Sequence, residues 1–532
     1  MTIHVASGFL SAEALAKAVR RTILALALTL APTWALAQAL PNISTTIVRY
    51  NTRKATVKPQ GELKAQIDAV DQEIAEANRL GRIGEVRRQI ARGLALLDGT
   101  PWTAALDFQN SLALRSERTL IDSAVSYTLR LEQIYSPSIE LTPAISAKVS
   151  LRKRPPAGPP GPGTTPAPAA RELATFDGVS RDLRESPLVM ELDLAGAEDG
   201  AHLIETEVFD GTTSLGTTAL GVVLMKGLDA KLRALEAAAA GVPPGARADV
   251  LYPGDFIKNV NRGRVGPGTF SLAGEIAAAE AVVATAKGGK DPFKGRTGDM
   301  ERHYPLEGAG EIMPYRVYVP KAYTGATAMP LVIALHGLGA NEDSFFDAYS
   351  KLPPQLAEKH GFLLAAPLGY RVDGFYGSTI MGGGDAASKR RAEYSEKDVL
   401  EVLRLMKAQY RVDESRIFLI GHSMGAIGTW ALASKHPDIW AALVPFSGVG
   451  STTLAERMKG IPQFVVHGDN DATVNVNGSR SMVAALKKAG ADVTYVEVAG
   501  GSHTDVVVPN LPKAFEFLAA QKKVASAVPT KQ

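Results

Sequence analysis

Arg416-Ile-Phe-Leu-Ile-Gly421-His422-Ser423-Met424-Gly425-Ala426 is the stretch that decides the fold of this 532-residue chain. The apolar run Ile417–Ile420 reads as a buried strand, and it stops in a pentapeptide whose serine has glycine two positions away on each side. A turn that tight leaves no room for a Cβ at either flank. It holds the apical side chain at the C-terminal edge of a sheet, with a helix expected from about Ala426. The pentapeptide occurs once, and among 50 glycines it means little without that context. With it, Ser423 is the candidate nucleophile.

A serine hydroxyl is a poor nucleophile until an imidazole takes its proton, and a carboxylate must orient that imidazole. On a sheet of this kind both should follow later strands, acid first. Val465-Val466-His467-Gly468-Asp469-Asn470-Asp471 follows the strand Gln463–Val466, and Gly500-Gly501-Ser502-His503 follows the strand Val493–Val498. Of the nine histidines, His4 sits in an N-terminal leader, His202 in the N-terminal half, and His303 ahead of the first strand of the C-terminal region. His360 and His436 lie near helix ends, while His336, His422 and His467 belong to other motifs. That leaves His503 as base. Asp471 is preferred to Asp469 as acid, because Asp469 comes immediately after the strand's glycine and suits a loop cap better. Upstream, Leu335-His336-Gly337-Leu338-Gly339 closes another strand. Its Leu338 N–H, with the Met424 N–H, is the expected pair of donors to an oxyanion.

Around these motifs the chain alternates strand and helix. Tyr315–Val319, Leu331–Leu335, Leu363–Ala366, Ile417–Ile420, Ala442–Phe446, Gln463–Val466 and Val493–Val498 are apolar runs. A helix is expected at about Asp343–His360. Ser395-Glu-Lys-Asp398 reads as a capping box opening a second helix to about Tyr410. Near-continuous apolar strands separated by amphipathic helices imply a parallel sheet covered on both faces.

LHGLGAN, RVDESRIFLIGHSMGA, VVHGDNDATV and GGSH together resemble the secreted esterase and predicted-peptidase group of α/β-hydrolases. Its relatives include polyhydroxybutyrate-depolymerase and feruloyl-esterase-like enzymes, the phospholipase/carboxylesterase family and the prolyl-oligopeptidase catalytic domain. The resemblance covers roughly Tyr304–Ala520 and implies that the aspartate of H-G-x-x-D-x-x-V, here Asp471, is the triad acid. The implied activity is ester hydrolysis through an acyl-enzyme. A serine peptidase is the alternative, and a non-catalytic binding protein on the same scaffold a more distant one. Prolyl oligopeptidases carry a β-propeller for which the N-terminal half lacks length and strands. The chain has no cysteine, a departure from the disulfide-bearing secreted depolymerases.

The expected architecture is therefore α/β: an α/β-hydrolase fold over 300–524, preceded by an α+β accessory region over 38–290. Within that region Leu63, Ile67, Val70 and Ile74, then Ile83, Val86, Ile90, Leu94 and Leu97, form two helical stripes broken at Gly81. They imply a helical hairpin at about 60–98. Alternating runs at Ser126–Ile134, Ile145–Arg152, Leu188–Leu194, His202–Phe209 and Leu215–Met225 suggest a small β-sandwich at about 120–226, interrupted by the Pro/Gly-rich loop 155–169. Helices follow at about 228–288. At the N-terminus, Arg20-Arg21, the apolar Thr22–Ala31 and Ala35-Leu36-Ala37 have the order of a secretory signal over 1–37, too short for a membrane span. Export to the periplasm or medium is implied.

A net charge of +3 without basic blocks gives no nucleic-acid surface, and the mature chain has no apparent integral membrane segment. Dispersed histidines and the lack of cysteine indicate no metal site, and the chemistry needs no cofactor. The expected partner is a small ester, a short peptide or a polymer. Tyr370, Phe375 and Tyr376, in the insertion that also holds Met381 and three glycines, are candidate substrate-wall residues, with His336 and His422 beside them. The triplet Lys389-Arg390-Arg391 reads as a solvated lead-in to the following helix.

Overall fold

The computed structural model describes residues 43–154, 169–266, 270–380 and 385–523. The expected signal segment, most of the 155–169 loop and the Met381–Gly384 part of the insertion lie outside the described residues. The chain forms two compact units, one running to Lys231 with Val260–Ala273, the other made of Leu232–Asn259 and Gly274 onward. No helix among the described residues is long and apolar enough to cross a membrane.

In the first unit, helices α1 (Ile43–Val57), α2 (Gly61–Arg79) and α3 (Ile83–Leu97) enclose Tyr50, Ile67, Val70, Val86, Ile90 and Leu97. The expected hairpin is α2–α3, turning at Gly81 with φ +66°, and α1 adds a third helix to its apolar seam. After α4 (Ala104–Ser111) come β1 (Leu112–Arg115), β2 (Leu120–Ile121), β3 (Tyr127–Gln133), β4 (Ile145–Lys153), β5 (Arg171–Asp177), β6 (Leu188–Leu192), β7 (Gly200–Asp210) and β8 (Thr213–Leu224). They pair as a three-stranded sheet β1-β3-β6 and a five-stranded sheet β2-β8-β7-β4-β5. Leu114, Leu129, Leu131 and Met190 of one sheet share a core with Val149, Ile204, Val208 and Val222 of the other, which makes a sandwich.

The buried Asp107 of α4 ties this unit together. It accepts two hydrogen bonds from Arg88 of α3, at 2.9 and 2.6 Å, and one from the Ser138 N–H at 3.0 Å.

Helices α5 (Leu228–Ala239), α6 (Arg247–Asn261) and α7 (Leu272–Lys287) follow, and most of α6 and α7 falls in the second unit rather than in an accessory region ending at 290. The reason is polar. Asp249 on α6 accepts the His303 N–H at 2.9 Å, and Arg302 donates to the Gly245 carbonyl at 2.9 Å.

The second unit is built on β9 (Gly298–Leu306), β10 (Glu311–Val319), β11 (Met329–Leu335), β12 (Leu363–Pro367), β13 (Val412–His422), β14 (Ala442–Phe446), β15 (Gln463–Gly468) and β16 (Val493–Val498). Their order is β16-β15-β14-β13-β11-β12-β10-β9, parallel from β12 to β16 and antiparallel where β10 meets β12 and β9. Alternate residues feed separate cores on the two faces: Leu331, Ile333, Ile417 and Leu419 on one, Val332, Ala334, Phe418 and Ile420 on the other. This is the covered, mostly parallel sheet expected over 300–524.

Three local expectations are corrected. His303 lies within an edge strand, β9, not ahead of the first strand; Arg302, His303 and Tyr304 are all buried there, so the strand carries no apolar run to betray it. The helix expected over Asp343–His360 is broken into α8 (Ser344–Asp347) and α9 (Leu352–His360). Pro353-Pro354 opens α9, and Tyr349, Ser350 and Lys351 all have positive φ. Helix α10 (Ala386–Gln409) starts at Asp385, whose side chain accepts the Ser388 N–H, so Ser395 is not its cap and Lys389–Arg391 lie inside it. Ser395 and Asp398 instead face inward, Ser395 Oγ accepting the Tyr376 N–H and Asp398 the Tyr370 N–H.

Asp107 is buried while Arg88 stays partly exposed, so deleting the carboxylate chiefly leaves the Ser138 N–H and part of the guanidinium without their acceptor, at a cost of about 2 kcal/mol. Asp107→Ala is expected to move the calorimetric transition of the first unit down accordingly; an unchanged transition contradicts the account.

Candidate active site

At the end of β13 the backbone of Ser423 is forced to φ 58°, ψ −117°, and α11 (Met424–Lys435) begins at the next residue. A Cβ on Gly421 would sit 2.2 Å from the Gly425 carbonyl oxygen, and one on Gly425 would sit 1.9 Å from the Leu335 oxygen. Both approaches are possible only for glycine. The Ser423 N–H donates to the Phe446 carbonyl of β14 at 2.9 Å, which fixes the turn to its neighbouring strand.

The loop after β15 brings Asp471 inward. One carboxylate oxygen accepts the Thr473 and Val474 N–H groups, each at 2.8 Å; the other faces His503 Nδ1 at 2.6 Å. Burial works to raise the Asp471 pKa, but the His503 hydrogen bond and those N–H donors outweigh it and hold the carboxyl below its ordinary value. Asp469 turns away and caps the loop, accepting the Gly500 N–H at 2.7 Å.

His503 follows β16, and its Nε2 lies 2.8 Å from Ser423 Oγ. A carboxylate can only accept, so Nδ1 carries the proton and Nε2 presents its lone pair to the hydroxyl. The three residues expected from the motifs thus meet in one chain of hydrogen bonds.

Two further histidines brace this chain. His422 Nε2 lies 2.9 Å from the His503 carbonyl, which only accepts, so Nε2 is the donor and Nδ1 accepts from Tyr349 Oη at 2.9 Å. Burial pushes the His422 ring down to about 4, so it stays neutral. His467 Nε2 lies 3.1 Å from Asp471 Oδ2, on the oxygen that also holds His503, and its Nδ1 is 2.7 Å from Ser479 Oγ. Sequence reasoning missed Tyr349 and Ser479; no motif surrounds either of them.

The loop after β11 lies against the serine: a Cβ on Gly337 would be 3.4 Å from Ser423 Cβ. Leu338 is in that loop, and Met424 opens α11, where first-turn N–H groups have no intrahelical acceptor. The Leu338 side chain is exposed, as is Val372, whose carbonyl accepts the Gly339 N–H at 2.8 Å; together they put apolar surface beside the site.

The candidate substrate residues are sorted differently. Tyr376 is fully buried, so it is core and not a substrate wall. It packs so close to Gly369 and Gly428 that a Cβ on either would sit 2.5–2.6 Å from its side chain. His336 is buried with both ring nitrogens against carbonyls, those of Gly337 and Leu368, at 2.8 and 2.6 Å. His422 is buried in the network above. Tyr370 is held by the Arg371 guanidinium stacked 3.9 Å above its ring, and Phe375 packs against the core as a half-buried residue.

Residues 307–532 match the family model described as "Putative esterase". The chain is 29% identical over 169 residues to a bifunctional acetylxylan esterase/xylanase from Neocallimastix patriciarum, covering 32% of this chain and 22% of that protein. It is 27% identical over 146 residues to feruloyl esterase B from Talaromyces stipitatus, covering 26% of this chain and 37% of that protein. The chain thus spans well under half the length of these two curated relatives. Among solved structures, an S-formylglutathione hydrolase from Agrobacterium tumefaciens aligns at 18% identity and a TM-score of 0.37, over 42% of this chain and 96% of that one.

The neutral His422 gives the second unit a pH signature. Between its ordinary value of 6.5 and about 4, the unfolded chain binds a proton on this ring that the native state refuses. Stability therefore falls as pH drops through that window, by about 3 kcal/mol for this residue, and no further below it. Urea midpoints of wild type and His422→Asn are expected to converge on acidification from pH about 7 to about 4; parallel curves contradict the assignment.

Proposed function

We propose that this chain is a carboxylic ester hydrolase that works by acyl transfer through Ser423. The observation that carries the reading is the placement of His503 between Asp471 at 2.6 Å and Ser423 Oγ at 2.8 Å, with its Nε2 lone pair toward the hydroxyl.

In this reading Ser423 Oγ attacks the ester carbonyl as His503 Nε2 takes its proton. The negative oxygen that forms is received by the Leu338 and Met424 N–H groups. The C–O bond to the alcohol then breaks, and His503 returns the proton to the departing alkoxide. Water, deprotonated by the same nitrogen, attacks the acyl-serine; as the C–Oγ bond of this second adduct breaks, His503 returns the proton to Ser423 Oγ, releasing the carboxylic acid. Asp471 keeps His503 in the required tautomer and offsets the imidazolium charge.

Support for ester substrates comes from the family match and from relatives named acetylxylan esterase and feruloyl esterase. Acetyl or aromatic acyl esters of plant polysaccharides are the substrate class to try first. Export belongs to the same reading and rests on the Arg20-Arg21, apolar and Ala35-Leu36-Ala37 order; it predicts a mature N-terminus at Gln38.

The test is turnover of p-nitrophenyl acetate and methyl ferulate beside a proline-anilide peptide. The esters are expected to be cleaved and the anilide not, with Ser423→Ala inactive and Asp471→Asn reduced by about 10⁴-fold in kcat. Cleavage of the anilide alone, or full ester turnover by Ser423→Ala, contradicts the proposal.

A further inference from the structure

We infer that Glu275, Glu301 and His303 form a binding site for a divalent transition-metal ion of the zinc class. These residues take no part in the hydrogen-bond chain that ends at Ser423. Glu301 and His303 are two apart on β9 and so project from one face of the strand, while Glu275 stands in the first turn of α7. One ligand atom from each lies within 4.8 Å of the other two.

The decisive atom is His303 Nε2. It is buried and has no hydrogen-bond partner among the described residues. Its nearest charged neighbour, Glu301 Oε1, is 3.6 Å away, beyond hydrogen-bond range. The other ring nitrogen, Nδ1, lies 3.2 Å from Asp249 Oδ1, an atom that also accepts the His303 N–H at 2.9 Å. Because a carboxylate only accepts, Nδ1 carries a proton toward Asp249, and Nε2 is the ring atom left for a further partner. This is the carboxylate–histidine order by which proteins orient a metal-binding imidazole. Tyr252 stacks on the ring with centroids 3.8 Å apart, which fixes its plane.

The surroundings are negative. Glu342 is buried with Oε2 unpartnered among the described residues, and both Glu301 and His303 act on its carboxyl. A cation at the centre of the group would offset that negative charge.

One imidazole nitrogen with two carboxylate oxygens is a zinc-type donor set; calcium and magnesium take oxygen alone. Tetrahedral zinc with bonds of about 2.0–2.1 Å brings its ligand atoms to about 3.3 Å from one another. Reaching that from the present spread needs movements of about 1.5 Å at most. Glu301, whose side chain is 35% exposed, is free to make them. The fourth position stays open to water.

The test uses the full chain stripped with a chelator and titrated with Zn²⁺ alone, read by calorimetry and by thermal melting. One equivalent is expected to bind saturably and raise the melting transition. Glu275→Gln and Glu301→Gln, changes that keep volume and spare the buried His303, are each expected to weaken binding by about tenfold or more. No saturable uptake, or uptake of equal affinity in both variants, overturns the inference; His303 is then simply an imidazolium paired with Asp249 and Glu301.

Discussion

The contact between the Gly425 Cα and the Leu335 carbonyl is the constraint on which the second unit's candidate site depends. A single methyl group there would lie 1.9 Å from that oxygen. Because it is absent, α11 starts directly against the end of β11, and the elbow between β13 and α11 closes with Ser423 at φ 58°. The strain of that backbone is held by the Phe446 hydrogen bond and by packing on both sheet faces. The same closeness sets the loop of Gly337 against the serine, so the hydroxyl and the proposed oxyanion donors come from adjacent parallel strands.

Around that fixed point the polar groups are arranged for one direction of proton flow. Asp471 spends one oxygen on two backbone N–H groups and the other on two imidazoles. His422, held neutral by burial, pins the carbonyl of His503 and thereby the height of its ring. Of these side chains only the ring of His503 joins the Asp471 carboxylate to the Ser423 hydroxyl. The geometry therefore favours one base.

Much of this was legible in the residues. Strands such as Leu331–Leu335 and Ala442–Phe446 are buried on both faces, so their apolar runs survive as a signal. Ser423, Asp471 and His503 each follow a strand, where motif and position reinforce one another. The signal failed where polar side chains turn inward. Strand β9 buries Arg302 and His303, and α10 buries Ser395 and Asp398, so hydropathy and capping rules both misread them. Tyr376 looked like a loop aromatic free to meet a substrate, yet a turn with positive φ drops it into the core. Glu275 and the Glu301/His303 pair are separated by a helix and a turn, so no spacing rule links them.

The central claim is that Ser423 Oγ is the atom that becomes acylated. Brief exposure of the full chain to a fluorophosphonate, followed by peptide mapping in a mass spectrometer, tests this most directly. The account predicts a single adduct on the peptide bearing Gly421-His422-Ser423-Met424-Gly425, lost when Ser423 is replaced by alanine. An adduct on another residue, or none under conditions where ester hydrolysis proceeds, would contradict it.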